Sequence, residues 1–440
     1  MLTTLKNAFK IKEIRTKILF TLAMLVVIRL GSQLPVPGVN RAFFSDWFAQ
    51  QTGDAFSFFD AITGGSFINM SILALNISPY ITSSIIMQLL TIAIPKLEEM
   101  QRDGEDGRKK IASITRYVTV VLAVVQAAAM SIGFGRQGLL MTYNALNVIT
   151  CIAALTAGSA FMMWVGERIT EKGIGNGISI VLVINIVSRL PQDLANLFEQ
   201  FVVGKFGSAP ATAVLSACVI IVIIILMVVL VIVLNAGVRK IPVQYAKKVQ
   251  GRKMVGGQTS NIPLKVNTSG VIPVIFASSI MQTPIIICNF AGYQGTGFWG
   301  EILKGLNQNY WCNPSQPIYS IGMLVYILLV IFFAYFYTSI TFNPLMVADN
   351  MKRQGGFIPG IRPGKPTSDY LTRVLNYLIF IGAVGLVIIA ILPYIFSGLF
   401  GAHISFGGTS LIIIVSVILE TMKQVESQML VRNYKGFLND

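Results

Sequence analysis

The chain has 440 residues, 54% of them hydrophobic and only 12% charged, with a mean hydropathy of +0.69 and a formal net charge of +15. A soluble domain carries about 25% charged residues, so a soluble globular class is excluded in favour of a polytopic membrane protein. Four cysteines (Cys151, Cys218, Cys288, Cys312) form no CxxC pair and are expected to be buried thiols, and the one histidine, His403, has no partner for a metal or haem site.

Ten apolar spans are predicted in chain order, near 18–34, 72–94, 114–134, 146–165, 177–196, 211–235, 269–290, 318–340, 374–396 and 408–422. The basic start (Lys6, Lys10, Lys12, Arg15, Lys17) runs into an apolar stretch without a small-residue cleavage pattern, so the first span is expected to be retained. With both termini on one face, 27 lysines and arginines fall on that face, 4 on the other and 3 within spans. The excess places residues 1–17 and 423–440 in the cytoplasm.

Before the second span, residues 61–95 carry no charge yet include Gly64-Gly65, Asn69, Asn76 and Pro79. One clean helix is a poor expectation for such a segment. The cytoplasmic loop 236–269 holds seven basic residues and no acidic one, with Tyr245 and a Gly256-Gly257 turn, and is expected to form an ordered hairpin. A second loop, 341–373, holds Lys352, Arg353, Arg362, Lys365 and Arg373. Positive-inside loops are basic as a rule, but an acid-free loop of this length also suits an acidic partner such as RNA or an acidic protein surface. The loop at 96–110 is balanced, with five basic and five acidic residues.

An internal repeat joins the halves. "PYITSSIIMQ" (79–88) and "PVIFASSIMQ" (273–282) agree at six of ten positions, and "NGISIVLVINIV" resembles "GGTSLIIIVSVI", aligning Gly177 with Gly408 and Ser179 with Ser410. Each pair lies five spans apart, so matched helices cross in opposite directions. The expected halves are 18–203 and 204–422, with a site near the midplane where interrupted helices (the second at Asn76 and Pro79, the seventh at Pro273 and Pro284) meet. The matched positions there are aliphatic (Ile81, Ile275, Leu182, Ile413), while Arg29, Arg116, Arg189 and Glu420 sit near span ends. An aliphatic centre can close by excluding water. A gradient-driven inverted-repeat solute transporter is the alternative, and it would favour an ionisable midplane group. No HExxH, GxSxG or GxxxxGK[ST] motif points to an enzyme, and no cofactor is expected.

At "PYITSSIIMQLLT" (79–91), "TEKGIGNGISI" (170–180), "IPVQYAKKVQGRKM" (241–254), "IPLKVNTSGVIPVIFASSI" (262–280), "GFIPGIRPGKPT" (356–367) and "FGGTSLII" (406–413), the sequence resembles the SecY family of bacterial protein-conducting channels. The resemblance spans nearly the whole chain. It implies an all-α membrane protein with ten helices in two inverted five-helix halves around a pore. Unfolded secretory chains would cross, and transmembrane segments would leave sideways into lipid. It implies a pore ring at Ile77, Ile81, Ile178, Leu182, Ile275 and Ile413, with Leu182 where isoleucine is more usual. It further implies a re-entrant plug half-helix near 58–75, including Gly64, Gly65, Phe67, Ile68 and Asn69 with Phe58 and Phe59, and a polar lateral-gate position at Gln88. Basic docking residues would be Arg239, Lys240, Arg252 and Lys253 in the first loop and Arg362 in the second, facing the ribosome or the SecA motor ATPase. SecE-like and SecG-like small subunits, signal peptides and lipid are the implied partners, in a bacterial inner membrane or a plastid thylakoid.

Overall fold

A computed structural model describes residues 8–41, 63–135, 138–199, 210–245, 248–250, 253–255, 259–290, 297–312, 317–400 and 408–436. Phe58, Phe59, Arg252, His403, the chain ends and the boundary between the expected halves lie outside the described residues.

Among the described residues, ten helices of 16 residues or more stand where ten spans are predicted: α1 (Lys12–Gly31), α2 (Ser78–Ala93), α4 (Glu105–Gly133), α5 (Ala145–Lys172), α6 (Gly177–Phe198), α7 (Pro210–Ala236), α8 (Ile272–Phe290), α10 (Ile321–Thr341), α12 (Lys365–Phe400) and α13 (Gly408–Gly436). Shorter helices are α3 (Pro95–Arg102), α9 (Phe298–Leu306) and α11 (Pro344–Arg353). Among the described residues five helices are long and apolar enough on their own to cross a membrane, or six if α2 and α3, bent by 106° at Pro95, form one broken span. The protein is thus a multi-pass membrane protein. Several helices run past the apolar spans. α12 starts in the basic loop at Lys365, and α13 continues to Gly436.

The halves repeat each other in packing. α2 packs on α4, α4 on α5, α1 on α5 and α5 on α6; five spans on, α8 packs on α10, α10 on α12, α7 on α12 and α12 on α13. The halves meet where α6 packs on α13 and α4 on α8. Three hydrophobic clusters follow from this: one in the first half around Phe67, Phe134 and Leu155, one in the second around Trp311, Tyr326 and Leu386, and one shared between them.

The matched prolines begin helices instead of interrupting them. Pro79 is in the first turn of α2 and Pro273 is the second residue of α8. Proline is tolerated there because the first turn has no use for its missing N–H. Pro284 does lie inside α8. Of the cysteines, all free, only Cys151 is buried; Cys218 is exposed on α7, because a helix apolar all round presents one face to lipid.

The loop after α7 is a hairpin of β1 (Val238–Tyr245) and β4 (Thr259–Lys265), antiparallel from Val238↔Lys265 to Gln244↔Thr259, with a tip of β2 (Lys248–Gln250) and β3 (Lys253–Val255). Alternation buries Ile241 and Val243 on Met351, Ile358 and Leu371 of the following loop. There β5 (Gly356–Phe357) pairs with Gln244 and Tyr245, so the two basic loops form one scaffold.

Candidate functional site

The aliphatic residues at matched repeat positions converge. Ile77, Leu182 and Ile413 are buried members of the cluster shared between the halves, and Ile81, Ile178 and Ile275 pack against it. They come from α2, α6, α8 and α13, the helix pairs that the repeat relates. Asn176 sets the start of α6, its Oδ1 accepting from the backbone N–H of Ile178 at 3.1 Å and Ser179 at 3.4 Å. Asn76 turns the chain into α2 at φ +50°, which orients Ile77 ahead of the helix.

Above this constriction opens a cavity of about 690 Å³. Its floor includes Ile81, Ile178, Leu182, Ile275 and Ile413, and its walls carry Gln88, Asn267, Lys265, Glu420 and Lys423. Ile77 does not line it and is fully buried beneath. A water-accessible funnel with mixed polar and apolar walls therefore ends on a packed aliphatic floor. Such a constriction excludes water and ions until something apolar or bulky parts it.

Gln88 is exposed on α2 and lines the cavity, whereas its repeat partner Gln282 is buried on α8. The two helices also differ in their attachments. Ser83 Oγ of α2 donates to the Thr115 carbonyl of α4 at 2.8 Å. Ser278 Oγ of α8 lies 3.5 Å from Tyr326 Oη of α10. α2 is thus tied to α4 and α8 to α10, and both α2 and α8 line the cavity. Ile85 crosses that line to pack on the second-half cluster.

On the far side of the floor lies the uncharged segment before α2. Its described part, 63–77, begins on a helical residue at Thr63 and continues as mostly buried turns, while residues 58–62 of the expected half-helix lie outside the described residues. Glycines at positive φ (Gly64 +66°, Gly65 +82°) with Met70 (+42°) and Asn76 (+50°) break helical geometry four times in thirteen residues. Phe67 is buried; Ile68 and Asn69 are half-buried. The turn is held from several sides. The Arg29 guanidinium of α1 donates to the Gly64 carbonyl at 3.3 Å, and Gly158 of α5 leaves the space that the Ile72 carbonyl fills. A strand-like bridge joins Ser71 to Pro35.

Three features here escape the sequence reading. Arg29 counts there only as an end-of-span charge; only the fold puts it on Gly64. Asn185, 1% exposed on α6, backs the same turn. Asp193 lies buried within α6 one helical turn beyond Arg189.

On the scaffold of the two basic loops, Arg239 and Lys240 are exposed on β1 and Arg362 is exposed beyond β5. Lys253 is in the tip strand β3. Among the described residues no group of histidine, cysteine and acidic side chains could hold a metal.

The arrangement defines a helical membrane channel, with a funnel of mixed polar and apolar walls, an aliphatic floor and a segment of buried turns behind it. A family model described as SecY matches residues 71–422, and the chain belongs to the SecY family. "Protein translocase subunit SecY" of Bacillus licheniformis is 45% identical over 100% of both chains, and that of Bacillus subtilis is 42% identical, also over 100% of both. Among solved structures, a protein-conducting channel aligns at a TM-score of 0.66 with 19% identity, covering 94% of this chain and 93% of the other. A SecY structure described for a plug domain that stabilises the closed channel aligns at 0.66 with 18% identity, covering 97% of each chain. Sec61 of the canine ribosome–channel complex aligns at 0.64 with 18% identity, covering 95% of this chain and 94% of the other.

Proposed function

We propose that this protein translocase subunit conducts unfolded polypeptide between its halves, through the ring of Ile77, Ile81, Ile178, Leu182, Ile275 and Ile413. The observation that carries the reading is that all six residues, drawn from both halves, meet in one hydrophobic cluster, five of them at the floor of the cavity and Ile77 buried beneath it. Six aliphatic side chains grip a passing chain without binding it, and close by excluding water when it leaves. The segment around Gly64, Gly65, Phe67, Ile68 and Asn69 is the plug, seated against the ring's far side. Apolar segments leave between the α2–α4 and α8–α10 pairs, with Gln88 at that seam. The subunit catalyses no covalent reaction, so the driving force comes from outside it.

Both termini are cytoplasmic in this reading, in a bacterial inner membrane. The basic scaffold (Arg239, Lys240, Arg252, Lys253, Arg362) docks the ribosome or a SecA-like motor. Arginine suits this task because its fork binds phosphates and carboxylates bidentately. The shared scaffold of the two loops supports a single docking platform, and SecE-like and SecG-like subunits complete the complex. The test is crosslinking of a stalled secretory chain to Ile81→Cys and Ile275→Cys in the assembled complex. Adducts at both are expected. None at either, in a complex that still translocates, would refute the path.

A further inference from the structure

α9, in the connection between α8 and α10, presents an apolar face that the protein leaves uncovered. Phe298 is 77% and Trp299 66% exposed, and Ile302 is exposed beside them. On a helix Phe298, Ile302 and Trp299 fall within one arc, with Lys304 on the opposite side. The orientation of this arc is set by the attachments of the helix, which are firm, and Gly300 opposite the arc is buried. Trp311 Nε1 donates to the Gly305 carbonyl at 2.9 Å. That carbonyl stands 1.7 Å from where a side chain on Gly322 of α10 would begin, so only glycine permits the approach. Glu301 accepts from the Tyr319 hydroxyl and pairs with Lys304 at 3.4 Å, so its charge is compensated.

The uncovered arc has a neighbour of known environment. α10 exposes Ile321, Leu324, Val325, Leu328 and Phe332, a stripe at helical spacing on a membrane span, and Ile318 continues it outward to the short turn packed against α9. On a membrane span such a stripe suits contact with lipid, and α9, packed against the turn that carries Ile318, adds its arc beside the end of the stripe. Aromatic side chains are favoured at this depth, where one side is hydrocarbon and the other water, and a lysine stem can reach back to the headgroups.

We propose that α9 is an interfacial helix that lays Phe298, Trp299 and Ile302 into the lipid headgroup boundary beside the start of α10. Its occupant is bilayer lipid, and the helix lies in the membrane plane about 5–10 Å deep at its apolar face. Because α9 links α8 to α10, it fixes the height of both helices in the bilayer.

The test uses the full translocase in phosphatidylethanolamine and phosphatidylglycerol vesicles, with native cysteines replaced and nitroxides on Phe298→Cys, Ile302→Cys and Lys304→Cys in turn. Retained translocation identifies the labelled complexes that are folded. Collision with oxygen is expected to exceed collision with a water-soluble nickel chelate at 298 and 302, and the order is expected to reverse at 304. Two results overturn the proposal. One is nickel access at 298 and 302 equal to that at 304, which makes the arc water-facing. The other is access to neither reagent, which places a protein subunit on it. Should 298 or 302 fail to yield folded complex, brominated-lipid quenching of Trp299 fluorescence, taken as the difference between the native protein and Trp299→Phe, decides by the same criterion: no Trp299-dependent quenching refutes it.

Discussion

Replacing Gly64 with alanine puts a methyl group where the structure has no room. The new carbon would stand 2.8 Å from the Asn185 carbonyl oxygen, 2.9 Å from Asn185 Cα and 3.0 Å from Ser188 Oγ. The first two are backbone atoms of α6, which cannot turn aside as a flexible side chain can. The residue also sits at φ +66°, where an L side chain is strained by about 1–3 kcal/mol. Relief comes by lifting the turn off α6, which also draws the Gly64 carbonyl from Arg29. If the closed state alone loses about 1–3 kcal/mol, the ratio of unseated to seated plug rises roughly 5–150-fold. Gly65→Ala is the control. It has φ +82°, but its methyl would meet only Asn69 Nδ2 at 3.9 Å, so it carries the strain without the clash. The assay is resting ion conductance of the purified complex in planar bilayers, with translocation measured in parallel. Gly64→Ala is expected to leak most, Gly65→Ala less, and both to translocate. A Gly65→Ala leak equal to that of Gly64→Ala, or an unchanged conductance in Gly64→Ala, would refute the contact argument.

Gly322→Ala would push a methyl group to within 1.7 Å of the Gly305 carbonyl and 2.6 Å of Trp311 Nε1; overpacking of this kind destabilises by about 1–3 kcal/mol, read as a lower thermal midpoint in detergent. Asn176→Ala removes the cap of α6 and is expected to weaken that helix end by about 1 kcal/mol. Faster amide exchange at Ile178 and Ser179 would report it, and unchanged exchange would show the cap to be idle. At the outer connection, the Tyr319 hydroxyl, and after it Lys304, hold the Glu301 carboxyl below its ordinary range. A carboxylate whose folded value is depressed contributes stability above its unfolded value, and loses it as pH falls through the folded one. The thermal midpoint should therefore drop on acidification below the usual carboxylate range, and less so in Glu301→Gln; an equal drop in both would assign it to other groups.

Much of this protein is legible along the chain. Composition, ten apolar runs and a basic bias determine a multi-pass helical bundle, because lipid leaves a backbone no partner but itself. The repeat of 79–88 at 273–282 carries the two-halved plan, since helices with the same small and apolar faces pack alike. It also singles out Ile81, Ile275, Leu182 and Ile413 among many equivalent aliphatics, and the fold packs these four in one cluster between the halves. The limits appear where a property depends on a distant neighbour. Pro79 and Pro273 read as interruptions of their spans, although a span proper beginning at about Asn76 already sets Pro79 near a helix start; the observed starts at Ser78 and Ile272 put both prolines in first turns. The Gly64 segment is legible as uncharged and glycine-bearing, but the four left-handed residues of its described part, packed by α1, α5 and α6, are not. Gln88 and Gln282 are the same residue in the same motif, yet one faces the cavity and the other the core. A sequence specifies which residues favour lipid, water or each other. Which atom stands 2.8 Å from Gly64, and so whether a methyl group there opens the channel, is decided only when helices far apart in the chain pack together.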